Sequence, residues 1–484
     1  MSPPVSEKMM ADLTDYILSR MGTSFPRERW AELEKKIATA AREYGFADSA
    51  TCIEWILSSR TDMSQIEILS SCLTVGETFF FRENKGLHAI VELAFPEIIH
   101  AHTGSERRVR IWSAGCCTGE EPYTIAMLAS DYPALKGWEI NILATDINAA
   151  FLKKAEAGIY KDWSFRGVDP GIKEKYFLKA PGSTFALSPS IKSMVTFAPL
   201  NLIDDVYPAL LNNTNAIDLI VCRNVLMYFA PNHVQSVIQR LWQCLQPHGW
   251  LLVSPVEAPL IRIPLFTGIL RGGAMVHRKA DDKTVPAAVS KTRIPKLLGK
   301  HSPRKCRNTA TVVGKPCPPP MLHRASELYA HADYDGAIAM LKDLAELPAI
   351  PAGVFQLLSH AYANKGMLAE AEHWCLRATD ADTLNAANRY LTAVIWVEQG
   401  RSAEAMSALR KAIYLDPGFV VAHFALANLC RRAGRHPESR RHLRNALHIL
   451  ESIGSEEMLP ESEGMTAGKM ADLIQTTSAA WGGS

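Results

Sequence analysis

No run of eighteen apolar residues occurs in this 484-residue chain, so no membrane-spanning helix and no membrane insertion are expected. The N-terminus, MSPPVSEKMMADLTDY, lacks the long apolar core of a secretory signal. Ten cysteines are scattered without C-x-x-C spacing, which argues against a zinc site or a disulfide framework. Reduced thiols in the cytoplasm are the expectation, and no metal. Net charge is only +2, so composition gives no case for nucleic acid as a partner. The chain is 48% hydrophobic and 21% charged, the balance of a soluble globular protein, and is long enough for two or three domains.

Along the chain the texture changes four times. Residues 1–90 read as a small helical domain, with Met9, Leu13, Ile17 and Leu18 at helical spacing. Residues 91–280 alternate strands and helices. VRIWSAG, WEINILATDI, AIDLIVC and WLLVSP read as strands, which predicts a mostly parallel sheet covered on both faces. Residues 281–320 hold seven prolines and nine Lys or Arg against two Asp, and read as a flexible basic linker. Over 321–451 a 34-residue period appears: Gly366, Gly400 and Gly434 share one register, Ala378, Ala412 and Ala446 another. Small residues at fixed sites of such a period are the signature of tetratricopeptide repeats, which offer a surface to a protein partner. Residues 452–484 are polar and Gly/Ser-rich, and read as a disordered tail with at most a short helix at MADLIQ.

The chemistry concentrates in four blocks. In SAGCCTGEEP, Gly115 and Gly119 are placed where a strand turns and a ligand can come near. The third glycine of a dinucleotide loop is missing, and Glu120 and Glu121 occupy the helix start. Carboxylates there suit the positive helix end and would repel a polyphosphate. A cationic ligand without phosphate fits better, and S-adenosylmethionine, with its sulfonium and ammonium, is such a ligand. Ordinary helix-start acids are the alternative. In ATDIN, Asp146 stands at the end of the second strand, where a ribose diol is gripped in doubly wound folds, or where a helix is capped. In LTVGETFFFRE, a triple Phe is expected to be mostly buried and to hold Thr78 and Arg82. The arginine needs a carboxylate partner, either structural or from a ligand. In DLIVCRNVLMYF, a strand delivers Arg223 and Asn224 to the crevice, and Tyr228 follows, unless it is a core aromatic.

Together ETFFFR, SAGCCTGEEPY, ATDIN and CRNVLMYF resemble the CheR-type chemotaxis receptor methyltransferases. With the repeats attached, the whole resembles the CheR-like enzymes of alternative chemosensory pathways, such as the WspC type. The resemblance spans residues 5–280. It implies a doubly wound, Rossmann-like α/β methyltransferase domain with an N-terminal helical domain, followed by an all-α tetratricopeptide-repeat solenoid. It implies methyl transfer from S-adenosylmethionine to glutamate side chains in the cytoplasmic domain of a chemoreceptor. Cofactor contacts implied are Gly76, Thr78, Arg82, Gly115, Glu120, Asp146, Arg223 and Asn224, with Asn201 and Leu202 flanking the adenine. Arg82 and Tyr228 fall nearest the reacting centre, as the implied catalytic pair. Gly76 stands where the family often has Asn, so a side-chain contact is lost or replaced. The alternative is a scaffold acting through its repeats, but such a protein would be expected to have lost Glu120, Asp146 or Arg82.

Overall fold

The computed structural model describes residues 5–58, 63–102, 107–210, 212–261, 265–280, 320–330, 333–347, 350–351, 353–462 and 465–481. The chain forms two compact units. One contains the segments through Tyr207, the sheet residues from Ile217 and the end of the chain from Gln475; the other contains Pro208–Ala216 and the helices through Ile474. Among the described residues no helix is long and apolar enough to cross a membrane.

The first unit opens with four helices, α1 (Glu7–Met21), α2 (Trp30–Glu43), α3 (Ser49–Leu57) and α4 (Met63–Leu73). Leu13, Ile17, Leu33, Ile37 and Ile53 are fully buried and form a core of their own that ends at Leu73. A second core begins at Phe80 and surrounds the sheet. The boundary expected at residue 90 therefore lies some ten residues too late. It falls inside a rod in which α5 (Asn84–Ala89), a π-helical turn and α6 (Phe95–Ala101) run on, and Leu87, Ile90 and Phe95 pack into the sheet core.

The sheet unit runs β1 (Arg108–Ala114), α7 (Glu120–Asp131), β2 (Glu139–Asp146), α8 (Ala149–Ala157), β3 (Ile159–Lys161), α9 (Pro170–Tyr176), β4 (Phe177–Ala180), β5 (Thr184–Leu187), α10 (Pro189–Lys192), β6 (Val195–Pro199), β7 (Ile217–Val221), α11 (Pro231–Cys244), β8 (Leu245–Leu252), β9 (Phe266–Arg271) and β10 (Ala274–Lys279). The seven-stranded order is β6-β2-β1-β7-β8-β10-β9. The first five strands are parallel, and β10 and β9 close one edge as an antiparallel hairpin. The four strands read from sequence are all in the parallel part. Winding runs outward from β1 through β2 to β6, then returns to β7 on the other side of β1. The carboxyl ends of β1 and β7 thus form the switch point where such sheets hold ligands. A separate three-stranded sheet, β3-β5-β4, was not foreseen, because its strands are only three or four residues long.

The helical array comprises α12 (Pro320–Ala330), α13 (Tyr334–Ala345), α14 (Val354–Asn364), α15 (Leu368–Ala381), α16 (Ala386–Glu398), α17 (Ser402–Leu415), α18 (Val420–Arg432), α19 (His436–Leu450) and α20 (Ala467–Trp481). Three helix pairs from α14 to α19 follow the 34-residue period, and α12 with α13 precede them as a degenerate pair. Ala371, Ala405, Ala412 and Ala446 are fully buried at the pair contacts, which is why only a small side chain serves there. The basic linker expected over 281–320 lies outside the described residues except for Pro320, which opens α12. The stretch 452–484, read as disordered, is instead folded over Ala467–Trp481, with a bridge between Met458 and Thr466. Its polar composition conceals Leu459, Met465, Met470 and Ile474, all buried.

Replacing Ala412 with Leu should overpack the second helix pair and cost about 1–3 kcal/mol. Urea denaturation followed by circular dichroism should show the loss; an unchanged midpoint would mean the pair contact is loose.

Candidate active site

A cleft of about 1370 Å³, counted to its open mouth, lies at the switch point within the first unit. Three strand ends supply its inner wall. Gly115 follows β1, Asp146 ends β2, and Arg223 and Asn224 follow β7. The loop before α5 supplies Thr78, Phe79, Phe81 and Arg82, and the helical bundle supplies Arg29, just before α2, and Glu32 and Lys36 of α2. Leu200, Asn201, Leu202, Phe151 and Tyr228 complete the walls named here. The bundle is stitched to this rim by backbone: Ala230 N–H donates to Gly22 O at 2.8 Å, and the Asn201 side chain donates to Arg20 O at 2.8 Å.

The turn after β1 is shaped by protein packing as much as by ligand access. Gly115 has φ +82°, and a Cβ there would meet Val225 Cγ2 at 2.4 Å. At Gly119, φ +93°, a Cβ would meet Ala155 of α8 at 2.8 Å. Gly119 was expected to approach a ligand; it seats the start of α7 against α8 instead. Cys117 also adopts a left-handed conformation, at φ 51°, and its N–H donates to Asp146 Oδ2 at 2.9 Å. The Asn148 N–H donates to Asp146 Oδ1 at 2.8 Å. Asp146 is therefore not the helix cap; Asn148 caps α8 through its own side chain. Burial pushes the Asp146 carboxyl above the usual carboxylate range, against the pull of these amides. Burial, followed by the Asp146 and Glu120 carboxylates, pushes the Cys117 thiol up to about 12, so it is no nucleophile at neutral pH.

The two glutamates opening α7 part company. Glu121 lines the cleft, accepts from Ser113 Oγ at 2.7 Å and takes Arg223 Nη1 at 3.4 Å. Glu120, singled out from sequence, does not line the cleft. Its carboxylate accepts from Thr118 at 2.6 Å and Ser164 at 2.9 Å, and burial raises its pKa. A helix start points successive side chains about 100° apart, so only one of two adjacent acids can face the crevice. Gly76 also stands off the lining. A Cβ there would meet the Phe151 ring at 2.9 Å, and that ring is what faces the cleft. The other expected positions, Thr78, Arg82, Gly115, Asp146, Asn201, Leu202, Arg223, Asn224 and Tyr228, line the cleft together.

Arg223 is the hub. Its side chain is only 3% exposed, and it donates to the Arg82 carbonyl at 2.5 Å and to Glu83 at 3.2 Å besides Glu121. Arg82 lines the cleft with its side chain 29% exposed; it donates to the Glu77 carbonyl at 2.6 Å, and its Nε lies 4.0 Å from the Glu83 carboxylate. Phe80 is fully buried, stacked on Phe165 at 5.1 Å, and anchors the loop whose neighbours Phe81 and Glu83 hold positive φ. Of the triple Phe, only this middle ring is fully buried.

Glu257 carries no signal in the sequence beyond following a strand. It is wholly buried and accepts from the backbone amides of Asn224, Val225, Met227 and Ser254 at 2.7–3.2 Å, and from the Ser254 hydroxyl. It fixes the loop that presents Asn224 and Tyr228.

Glu257→Ala removes the acceptor of four backbone amides, that of Ser254 buried and the others part-buried, and should cost at least about 2 kcal/mol in urea denaturation. Glu121 gives a pH test. Burial is the main cause that raises its folded-state pKa, against the Arg223 charge. The native protein then holds a proton that the unfolded chain has released above about 4.3. Rising pH through that window therefore costs stability. The stability of Glu121→Gln relative to the native chain should climb as pH rises above the ordinary carboxylate range; a flat difference would contradict the shift.

Residues 76–258 match the family described as CheR methyltransferase, SAM binding domain, and residues 390–419 match a tetratricopeptide repeat. A "Chemotaxis protein methyltransferase 1" of Pseudomonas aeruginosa is 34% identical over 198 residues, 40% of this chain and 69% of that protein. A "Chemotaxis protein methyltransferase" of Borreliella burgdorferi is 28% identical over 256 residues, 52% of this chain and 89% of the other. A "Probable biofilm formation methyltransferase WspC" of Pseudomonas aeruginosa is 29% identical over 383 residues, 78% of this chain and 84% of its own length, so the likeness continues beyond the cleft. With these matches, four motif blocks and a switch-point cleft in agreement, the chain belongs to the CheR family of S-adenosylmethionine-dependent protein methyltransferases.

Proposed function

We propose that the cleft binds S-adenosylmethionine and directs its methyl group to glutamate side chains of a chemoreceptor's cytoplasmic domain. The observation that carries this reading is the separation of charge. The deep charged members of the cleft are two acids, Glu121 and Asp146, against one cation, Arg223, which Glu121, Glu83 and a carbonyl already hold. Nearer the mouth the cations Arg29, Lys36 and Arg82, 46%, 27% and 29% exposed at their side chains, stand with two acids, Glu32 and Glu77, at 45% and 65%. Arg29 and Lys36 share one carboxylate, Glu32, at 3.0 and 3.8 Å. Deep acids suit a cationic ligand, and outer cations suit an anionic side chain arriving after it.

The residues present fit that cofactor. Asp146 keeps its carboxylate at the end of β2, where two hydroxyls of a ribose can donate to it. Phe151, Ile147, Leu200 and Leu202 offer an apolar seat for a purine. When bound, S-adenosylmethionine supplies an electrophilic methyl group on a positively charged sulfur. Glu121 lies at the same crevice and favours positive charge there. A receptor glutamate has an unperturbed pKa of about 4.3, so it arrives ionised and needs no general base. The work left to this chain is positioning, which can supply roughly 7–11 kcal/mol. Arg82, part-exposed in the cleft wall, orients the incoming carboxylate. Tyr228, 41% exposed, presents its hydroxyl at the same mouth. The walls exclude water as the two opposite charges are consumed, and that favours the step.

Transfer of radiolabelled methyl to membranes carrying candidate receptors, released as methanol by mild alkali, tests the reading; label stable to alkali would overturn the ester. Arg82→Ala should lower kcat at least 10-fold while calorimetry shows cofactor affinity within about 3-fold, the split expected when positioning rather than binding is lost. Unchanged turnover would remove Arg82 from the mechanism.

A further inference from the structure

Arg82 sits at the end of a stretch with little backbone support. Among the described residues, the amides of Glu77, Thr78 and Phe79 donate to no backbone carbonyl, although all three residues line the cleft. Side chains therefore set the path of the chain there. Firmer support begins at Phe80, whose N–H donates to Ser164 O at 3.0 Å, and Phe81, whose N–H donates to Thr124 Oγ1 at 3.2 Å. Ser164 belongs to the turn Asp162–Phe165 that follows β3.

Arg166 follows that turn directly. Its Nη2 donates to Glu77 Oε1 at 3.3 Å and its Nη1 to Trp163 O at 2.9 Å. The guanidinium carbon lies 4.0 Å from the Phe79 ring centroid and 4.4 Å from that of Trp163, within cation–π range of both. The Arg166 side chain is half-buried and stands outside the cleft lining. Glu77 is thus held at two points. Its carboxylate takes Arg166, and its carbonyl takes Arg82 Nη1 at 2.6 Å. A peptide plane is rigid, so anchoring the Glu77 side chain and the nearby Phe79 ring on one guanidinium limits where that carbonyl can point.

We propose that Arg166 is a positioning residue for methyl transfer: through Glu77 and Phe79 it fixes the carbonyl that aims the Arg82 guanidinium at the incoming carboxylate. The inference rests on the proposed reaction and on the part of Arg82 in it. A misplacement of about 1 Å at a group that orients substrate can cost about 100-fold in rate. Loss of Arg166 leaves Asp146, Leu200 and Leu202 in place for the cofactor, so the defect falls on turnover.

The test uses the full chain, methyl transfer to membranes carrying a receptor that the native chain labels, and calorimetry with S-adenosylhomocysteine. Arg166→Met should lower kcat at least about 10-fold, with affinity for S-adenosylhomocysteine within about 3-fold of native. In an Arg82→Ala background the same change should lower kcat by less than about 2-fold, because both act through one guanidinium. A merely structural defect would multiply the two losses. Glu77→Ala removes the exposed end of the pair and decides the matter if Arg166→Met fails to fold. By charge alone, losing an acid at the mouth favours an anionic substrate, so a fall in kcat there of at least about 5-fold marks positioning. Native kcat in Arg166→Met or in Glu77→Ala, or losses that multiply in the double variant, would overturn the proposal. A native chain that labels no candidate receptor, or Arg82→Ala turning over at the native rate, would overturn the functional reading and this inference with it. That outcome is distinct from an active chain that tolerates Arg166→Met.

Discussion

One buried cation ties the cleft together. The Arg223 guanidinium joins three separate pieces of chain: the strand β7 that delivers it, the loop of Arg82 and Glu83, and the start of α7 at Glu121. A guanidinium taken out of water is tolerated only when its donors are met, and here two carboxylates and a carbonyl meet them. The arrangement fixes which acid faces the crevice and how the Phe-rich loop lies. It also consumes Arg223 as a structural charge, leaving Arg29, Lys36 and Arg82 as the more exposed cations of the cleft.

Much of this was legible from residue order alone. Parallel strands that are buried on both faces read as continuous apolar runs, so β1, β2, β7 and β8 stood out, and polar residues at their carboxyl ends marked the crevice. The repeats were legible because small side chains recur at one period. The hairpin β9–β10 and the short strands β3, β4 and β5 were not, since a few residues of alternating pattern carry no signal against loops. Folding of the last residues was masked by serine, threonine and glycine between the few apolar positions that matter.

At the site, the limits were geometric. Sequence placed two adjacent glutamates at a helix start but could not say which way each turned. The choice between Glu120 and Glu121 depends on Thr118, Ser164 and Arg223, which converge from 2, 44 and 102 residues away. Glu257 was invisible for the same reason: it acts on backbone amides, which every residue possesses. The missing side chain at Gly76 was noticed, whereas the Phe151 ring lying against that position was not.

The helical bundle and the sheet each keep a separate apolar core, and polar bonds such as those from Ala230 and Asn201 fasten one to the other. The joint is apolar as well: Ile147, next to the end of β2, packs on the bundle core, and Gly22 lies against Ile203 and Phe229. The N-terminal helices are thereby one wall of the cleft, built by a bundle with an interior of its own.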